Sequence, residues 1–351
     1  MTSILARSVD RENLVDWLGE ALAEARALPR DRMVETRVSP AGLAVDLTFD
    51  DMDLATAYCD RFQNIRPAAD AAAERRIYVL TGKGLGLPEW SDPSLPADEF
   101  HALLNAAGLR AAYPFQDGLW RLFDMRSGVG LQWCSTLEKL PPWDGSAPLR
   151  QHLHWLLQES GMRLAHAATL GLEDRGVVLF GRGGAGKSGT TLAGLAAGLS
   201  TVGDDYIALA NDPAPLAKPL FRTMKQDREG LSRIPGLPER TNDLSLNWRG
   251  KVEFDPAAFF DGAIIEAMPL KAAILPRIAH ADRPTLVPAR PQSVMLSLMT
   301  SNLHQFAGEE DDGMRFFAKF LKDLPCFQLD LSPDAVRNGN LLREFVERLP
   351  R

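Results

Sequence analysis

Apolar residues recur at helical spacing across Leu14–Ala27, where Leu14, Trp17, Leu18, Ala21, Leu22 and Ala25 share one face and predict an amphipathic helix. From Met33 to Phe49 the pattern changes to alternation around Pro40-Ala41-Gly42, which predicts a hairpin. A helix is expected over Asp53–Ile65, then a short strand, Arg76–Leu80, running into Thr81-Gly82-Lys83-Gly84-Leu85-Gly86. That glycine rhythm lacks the full spacing of a phosphate loop and reads as a turn. Leu87–Glu99, rich in Pro, Asp and Ser, reads as loop. Trp120–Asp124 and Gly130–Cys134 read as strands joined at Ser127-Gly128.

Prolines and a glycine punctuate Pro141–Pro148, and the pattern differs beyond it. The chain is therefore divided into an N-terminal α+β domain, 1–146, and a second α/β domain, 147–351. In the second, a helix (Leu149–Glu159) leads to a strand (Arg163–Leu170), a turn (Glu173–Gly176) and a strand (Val177–Phe180). A glycine-rich loop, a helix (Lys187–Leu199) and a strand (Tyr206–Leu209) follow. Lys271–Ile278 and Cys326–Leu331 read as strands, and Gln292–Met299, Asp312–Leu321 and Asn338–Leu349 as helices. Strand, glycine loop and helix in that order form the framework of a nucleotide-binding α/β core.

Composition narrows the function classes. Hydrophobic residues make up 45% and charged residues 24%, as in ordinary globular proteins. A net charge of −7 argues against a general polyanion-binding surface, so no nucleic-acid partner is expected. No run of about eighteen uncharged apolar residues occurs, so no membrane span or membrane partner is expected. Cys59, Cys134 and Cys326 are odd in number and lack CxxC spacing, which with the absence of a leader pattern suits a reducing cytoplasm. His152 and His154 lie two apart and do not share a helix face, and His280 and His304 lack ligand-spaced partners, so zinc is not expected. Glu309–Asp312 reads as a solvated helix start, and Trp248-Arg249-Gly250-Lys251 as a turn that could meet substrate.

Gly181-Arg182-Gly183-Gly184-Ala185-Gly186-Lys187-Ser188 fits G-x-x-x-x-G-K-[ST] at every fixed position. Glycines allow the backbone to approach phosphates closely, and consecutive amides with the following helix N-terminus present positive charge to them. Lys187 would bridge the outer phosphates, and the Ser188 hydroxyl would hold magnesium. Asp204-Asp205 opens the next strand. Two carboxylates beside a magnesium triphosphate can divide the work, one holding metal and the other accepting a proton from an attacking hydroxyl. His166, within the strand Arg163–Leu170, is placed beside the strand that enters the loop.

These features, in this order, resemble the HPr kinase/phosphorylase-like family: Leu164-Ala165-His166-Ala167, Gly176–Phe180, Gly181–Ser188 and Gly203-Asp204-Asp205-Tyr206. The resemblance spans roughly Leu149–Leu209. It implies a phosphate-loop kinase domain that uses ATP and Mg2+ to phosphorylate a hydroxyl, most simply a serine of a peptide or small protein. It further implies that Gly181–Gly189 cradles the nucleotide and that Asp204 or Asp205 serves as the acid–base. His166 would support that aspartate. Gly189 stands where members acting on HPr carry an acid, and the glycine- and arginine-rich phosphorylase signature has no match here. A narrower resemblance is to kinases that phosphorylate the C-terminal serine of lasso-peptide precursors. It points to Lys218–Lys225, with Arg222 or Lys225 reaching a phosphate or a peptide carboxylate. Homo-oligomerisation is implied by the resemblance alone. Rival readings are a kinase of free serine or a sugar, and a nucleotide-binding regulator with slow ATPase activity.

Overall fold

The computed structural model of the chain describes residues 8–62, 75–82, 85–114, 116–303, 306, 310–322 and 324–351. Lys83, Gly84, His304, Glu309 and the end of the expected helix Asp53–Ile65 lie outside the described residues. The architecture is mixed α/β, in two compact units: 1–160 with 306–308, and 161–305 with 309–351. Among the described residues no helix is long and apolar enough to cross a membrane.

The first unit begins with α1 (Leu14–Ala27), whose six periodic apolar residues are all buried. It continues with β1 (Val34–Val38), β2 (Val45–Phe49), α2 (Met52–Cys59), β3 (Arg75–Thr81), α3 (Ala97–Ala106), β4 (Leu109–Ala111), β5 (Leu119–Asp124), β6 (Val129–Cys134) and α4 (Arg150–Glu159). The strands form one mixed sheet ordered β1-β2-β3-β6-β5-β4. The expected hairpin is present, pairing Val34 with Phe49 and Val38 with Val45. Trp17 of α1 packs on Trp120 of β5 with ring centroids 4.8 Å apart, joining helix and sheet in one apolar core. The helix α3 occupies the end of a segment expected to be loop. It buries only Phe100 and Leu104, a stripe too short to stand out among the surrounding prolines and acids. On α4, His152 meets the Leu131 carbonyl at 3.1 Å and His154 stacks on Phe306 at 3.7 Å, so both histidines are packed as core residues.

The second unit contains β7 (Met162–Ala165), β8 (Ala168–Leu172), β9 (Arg175–Leu179), α5 (Lys187–Ala196), β10 (Ile207–Ala210), β11 (Leu216–Pro219), β12 (Met224–Gln226), α6 (Arg228–Ser232), α7 (Leu237–Thr241), β13 (Val252–Phe254), β14 (Met268–Ile278), β15 (Thr285–Pro288), α8 (Pro291–Asn302), α9 (Glu310–Lys322), β16 (Cys326–Leu331) and α10 (Ala335–Glu347). Its larger sheet is mixed. The central strand β14 pairs in parallel with both β9 and β16, while β7, β10 and β11 extend the sheet antiparallel. Alternate residues of β9 serve two cores. Val178 and Phe180, just beyond the strand, pack with residues of α8 and α9, whereas Val177 and Leu179 pack with Leu342 and Val346 of α10.

The strand expected over Arg163–Leu170 is corrected to two. The chain changes partner at His166-Ala167, because β7 pairs with β10 and β8 with β9, both antiparallel. That break places His166 at a joint between strands rather than within a ladder. The short strands β12 and β13 pair with each other, aligning Lys225 with Glu253 and Gln226 with Val252. They pack with α5 through Met224, Val252 and Phe254.

Candidate functional site

The buried strand β9 ends at Leu179 and the chain turns through Gly181–Gly186 before α5 starts at Lys187. Gly184 and Gly186 adopt φ of +81° and +98°, a region that L side chains disfavour. A Cβ on Gly186 would also stand 2.6 Å from Leu331 Cδ1, so glycine is required there twice over. Arg182, Gly183 and Gly184 are exposed at the crest. Lys187 is buried and arches back, its Nζ donating to the Gly181 carbonyl at 2.6 Å. Burial lowers its pKa; the nearby Lys251 charge acts in the same direction, and Asp204 and Asp205 oppose it.

The acid pair precedes β10 on a braced turn. Thr201 Oγ1 donates to the Gly203 carbonyl and accepts from the Gly203 amide, each at 3.0 Å. Thr169 Oγ1, on β8, accepts from the Val202 amide at 2.9 Å. Local pattern gives no sign of this brace, because its two threonines come from separate segments.

Asp204 and Asp205 meet opposite surroundings. Asp204 is buried, and neither of its carboxylate oxygens has a hydrogen-bond partner among the described residues. Burial raises its pKa, while the Ser188 hydroxyl beside it pulls in the other direction. Asp205 has φ +80°, an uncommon conformation for a residue with a side chain. Its Oδ1 lies 3.1 Å from His166 Nε2 and its Oδ2 accepts from Lys225 Nζ at 2.7 Å. Burial alone would raise the Asp205 pKa, yet the bond to His166 and the charge of Lys225 hold it well below the usual carboxylate range. His166 is fixed in turn by its amide, which donates to Asn302 Oδ1 of α8 at 2.6 Å, and by its ring, 5.4 Å from that of Tyr206.

The structure therefore brings together Gly181–Ser188, Asp204, Asp205, His166 and Lys225. The Arg222 guanidinium pairs with Asp255, with Nε donating at 2.9 Å. Gly189 faces Gln226, whose Nε2 would stand 3.4 Å from a Cβ at that position. Sequence reasoning did not find Thr169, Thr201 or Asn302, which act through long-range contacts. Among the described residues no group of three or more His, Cys, Asp or Glu is suited to a metal. Ser188 beside the unpartnered Asp204 carboxylate does fit magnesium, which takes few protein oxygens and completes its shell from phosphates and water.

No protein-family model matches the chain, and no curated protein matches it. Among solved structures, the chain is similar to the Hpr(Ser) kinase/phosphatase from Coxiella burnetii, at 16% identity, 52% coverage of this chain, 95% of that chain and a TM-score of 0.29.

Proposed function

We propose that this protein is an ATP-dependent kinase that transfers the terminal phosphoryl group to a hydroxyl, with a serine of a peptide or small protein as acceptor. The observation that carries this reading is the contrast within the acid pair beside the glycine loop. A buried carboxylate with no partner is costly unless a ligand satisfies it. Asp205, engaged by both His166 and Lys225, anchors the turn and leaves Asp204 available to chemistry.

In this reading the amides of Gly181–Gly189 and the start of α5 receive the phosphates, with Arg182 at the crest. Lys187 exchanges the Gly181 carbonyl for outer phosphate oxygens and offsets charge developing in the transition state. Ser188 and an Asp204 oxygen would hold a magnesium ion, which supplies charge neutralisation on the phosphates. Asp204 accepts the proton of the acceptor hydroxyl as its oxygen bonds to the terminal phosphorus and the bond to the bridging oxygen breaks, releasing ADP. His166 and Lys225 position Asp205, and Asp205 holds the turn that aims Asp204.

The narrower acceptor, the C-terminal serine of a lasso-peptide precursor, comes from the resemblance to such kinases alone. The test is to incubate the protein with ATP, Mg2+ and serine-terminated peptides, alongside free serine and sugars, and to look by mass spectrometry for the gain of one phosphoryl group. Peptide phosphorylation supports the proposal, and phosphorylation of free serine or a sugar alone would replace the acceptor class. ATP binding with hydrolysis and no transfer would favour the regulator. Asp204→Asn should still bind ATP measured without magnesium, and lose transfer.

A further inference from the structure

The strand β12 carries polar chemistry on both of its faces. Lys225 reaches Asp205 from one. Met224 and Gln226, on either side of it, share the other, which lies against α5. Met224 joins Leu192, Ala193 and Leu195 of α5 in one apolar cluster, while Gln226 approaches Gly189, a turn earlier in the helix. The strand therefore runs toward the N-terminus of α5 and sets Gln226 beside its first turn.

The Gln226 carboxamide is held in one orientation. Its Oε1 accepts from the Asp227 amide at 3.0 Å, and a Cβ on Gly230 of α6 would clash with its Cδ. Asp227 in turn caps α6 by accepting from the Gly230 amide at 2.6 Å. With the oxygen engaged, Nε2 is turned to Gly189, 3.4 Å from the place of a Cβ there. A Cα–Cβ bond in a helix tilts toward the N-terminus, so this nitrogen stands over the first turn of α5, where the free amides of a helix collect. Gln226 is only 8% exposed, and its Nε2 has no hydrogen-bond partner among the described residues. A donor so enclosed costs free energy unless a ligand accepts from it. An amide nitrogen has two hydrogens and no lone pair to give, so it suits an anion and not a metal ion.

We propose that Gln226 is a nucleotide-binding residue that donates through Nε2 to an inner phosphate oxygen, a group that ATP and ADP share. The proposal rests on the reading of Gly181–Ser188 as a nucleotide loop. In such a loop the lysine reaches the outer phosphates and the serine hydroxyl the magnesium ion, so a donor beside the next residue, Gly189, meets the inner part of the phosphate chain. Gly189, with no side chain, leaves that approach open to a residue from another strand.

The experiment is calorimetric titration of the full chain with ATP and with ADP, in magnesium, for the wild type, Gln226→Met and Gln226→Glu. Gln226→Met keeps the length of the side chain and removes the donor; it is expected to weaken both nucleotides about tenfold. Gln226→Glu keeps the shape, and an oxygen for the Asp227 amide, but turns a carboxylate oxygen to the phosphates. It is expected to weaken both nucleotides more than Gln226→Met does. A packing role alone predicts the reverse order, with the isosteric Gln226→Glu nearer to the wild type. That order, a loss confined to ATP, or a Gln226→Glu protein that binds both nucleotides within about twofold of the wild type would overturn the proposal. Wild-type protein that binds ATP but phosphorylates no acceptor contradicts the kinase reading alone, and the variants still decide Gln226. Wild-type protein that binds neither nucleotide overturns both.

Discussion

Asp204 and Asp205 show how two identical side chains, adjacent in sequence, are assigned different chemistry by what surrounds them. Asp204 lies against Ser188 with its oxygens unpaired, whereas Asp205 is clamped by His166 and Lys225. The left-handed backbone at Asp205 is the local strain that turns its carboxylate toward those two side chains. Removing one clamp should be visible directly. Lys225→Met should raise the Asp205 pKa, because an opposite charge in contact is lost. Carboxyl carbon NMR titration measures this, and Lys225→Arg should restore the low value. A Lys225→Met variant whose Asp205 still titrates as in the wild type would mean that His166 alone holds the carboxylate.

At the scale of elements, close contact and burial make their own predictions. Gly339 on α10 sits where a Cβ would stand 2.2 Å from the Ala193 carbonyl oxygen of α5. Gly339→Val should therefore force α10 away from the helix that carries Lys187, destabilising the fold by about 1–3 kcal/mol in chemical denaturation. His152 on α4 gives a pH prediction. Burial pushes its pKa from 6.5 down to about 3, so the folded protein holds it neutral while the unfolded chain takes up a proton below 6.5. Its contribution is fully present above pH 6.5 and is lost as pH falls toward 3. Between pH 7 and 5 the wild type should lose about 2 kcal/mol more stability than His152→Asn. Equal losses in the two proteins would refute the assignment.

The same elements show what was legible in the chain. The helix Leu14–Ala27 and the strand Cys326–Leu331 carry periodic or continuous apolar patterns and appear with the bounds expected. The glycine loop and acid pair are local motifs, so their residues could be read directly. The break at His166 was not legible, because a change of strand partner leaves no mark in an apolar run. Strands of three or four residues, such as β11, β12 and β13, are too short for alternation to register. The Thr169–Thr201 brace, the Asn302 bond and the Lys225–Asp205 pair join residues far apart in sequence.

For the molecule as a whole, a net charge of −7 sets a problem that the second unit resolves locally. In the proposed reading an anionic protein collects an anionic nucleotide, and it does so with Arg182 and Lys187 on one loop while Asp205 absorbs the charge of Lys225. Local cations at a helix N-terminus suffice for this without a basic surface. The central claim is that this cluster serves phosphoryl transfer, with Asp204 taking the proton. The most direct measurement follows ADP release and acceptor phosphorylation together, with ATP, Mg2+ and a serine-terminated peptide, for the wild type and Asp204→Asn. The account predicts one phosphoryl group on the wild-type acceptor per ADP released. It predicts a fall in kcat of about 10²–10⁴ in the variant at saturating ATP and Mg2+. An Asp204→Asn protein that transfers phosphate at the wild-type rate would contradict it.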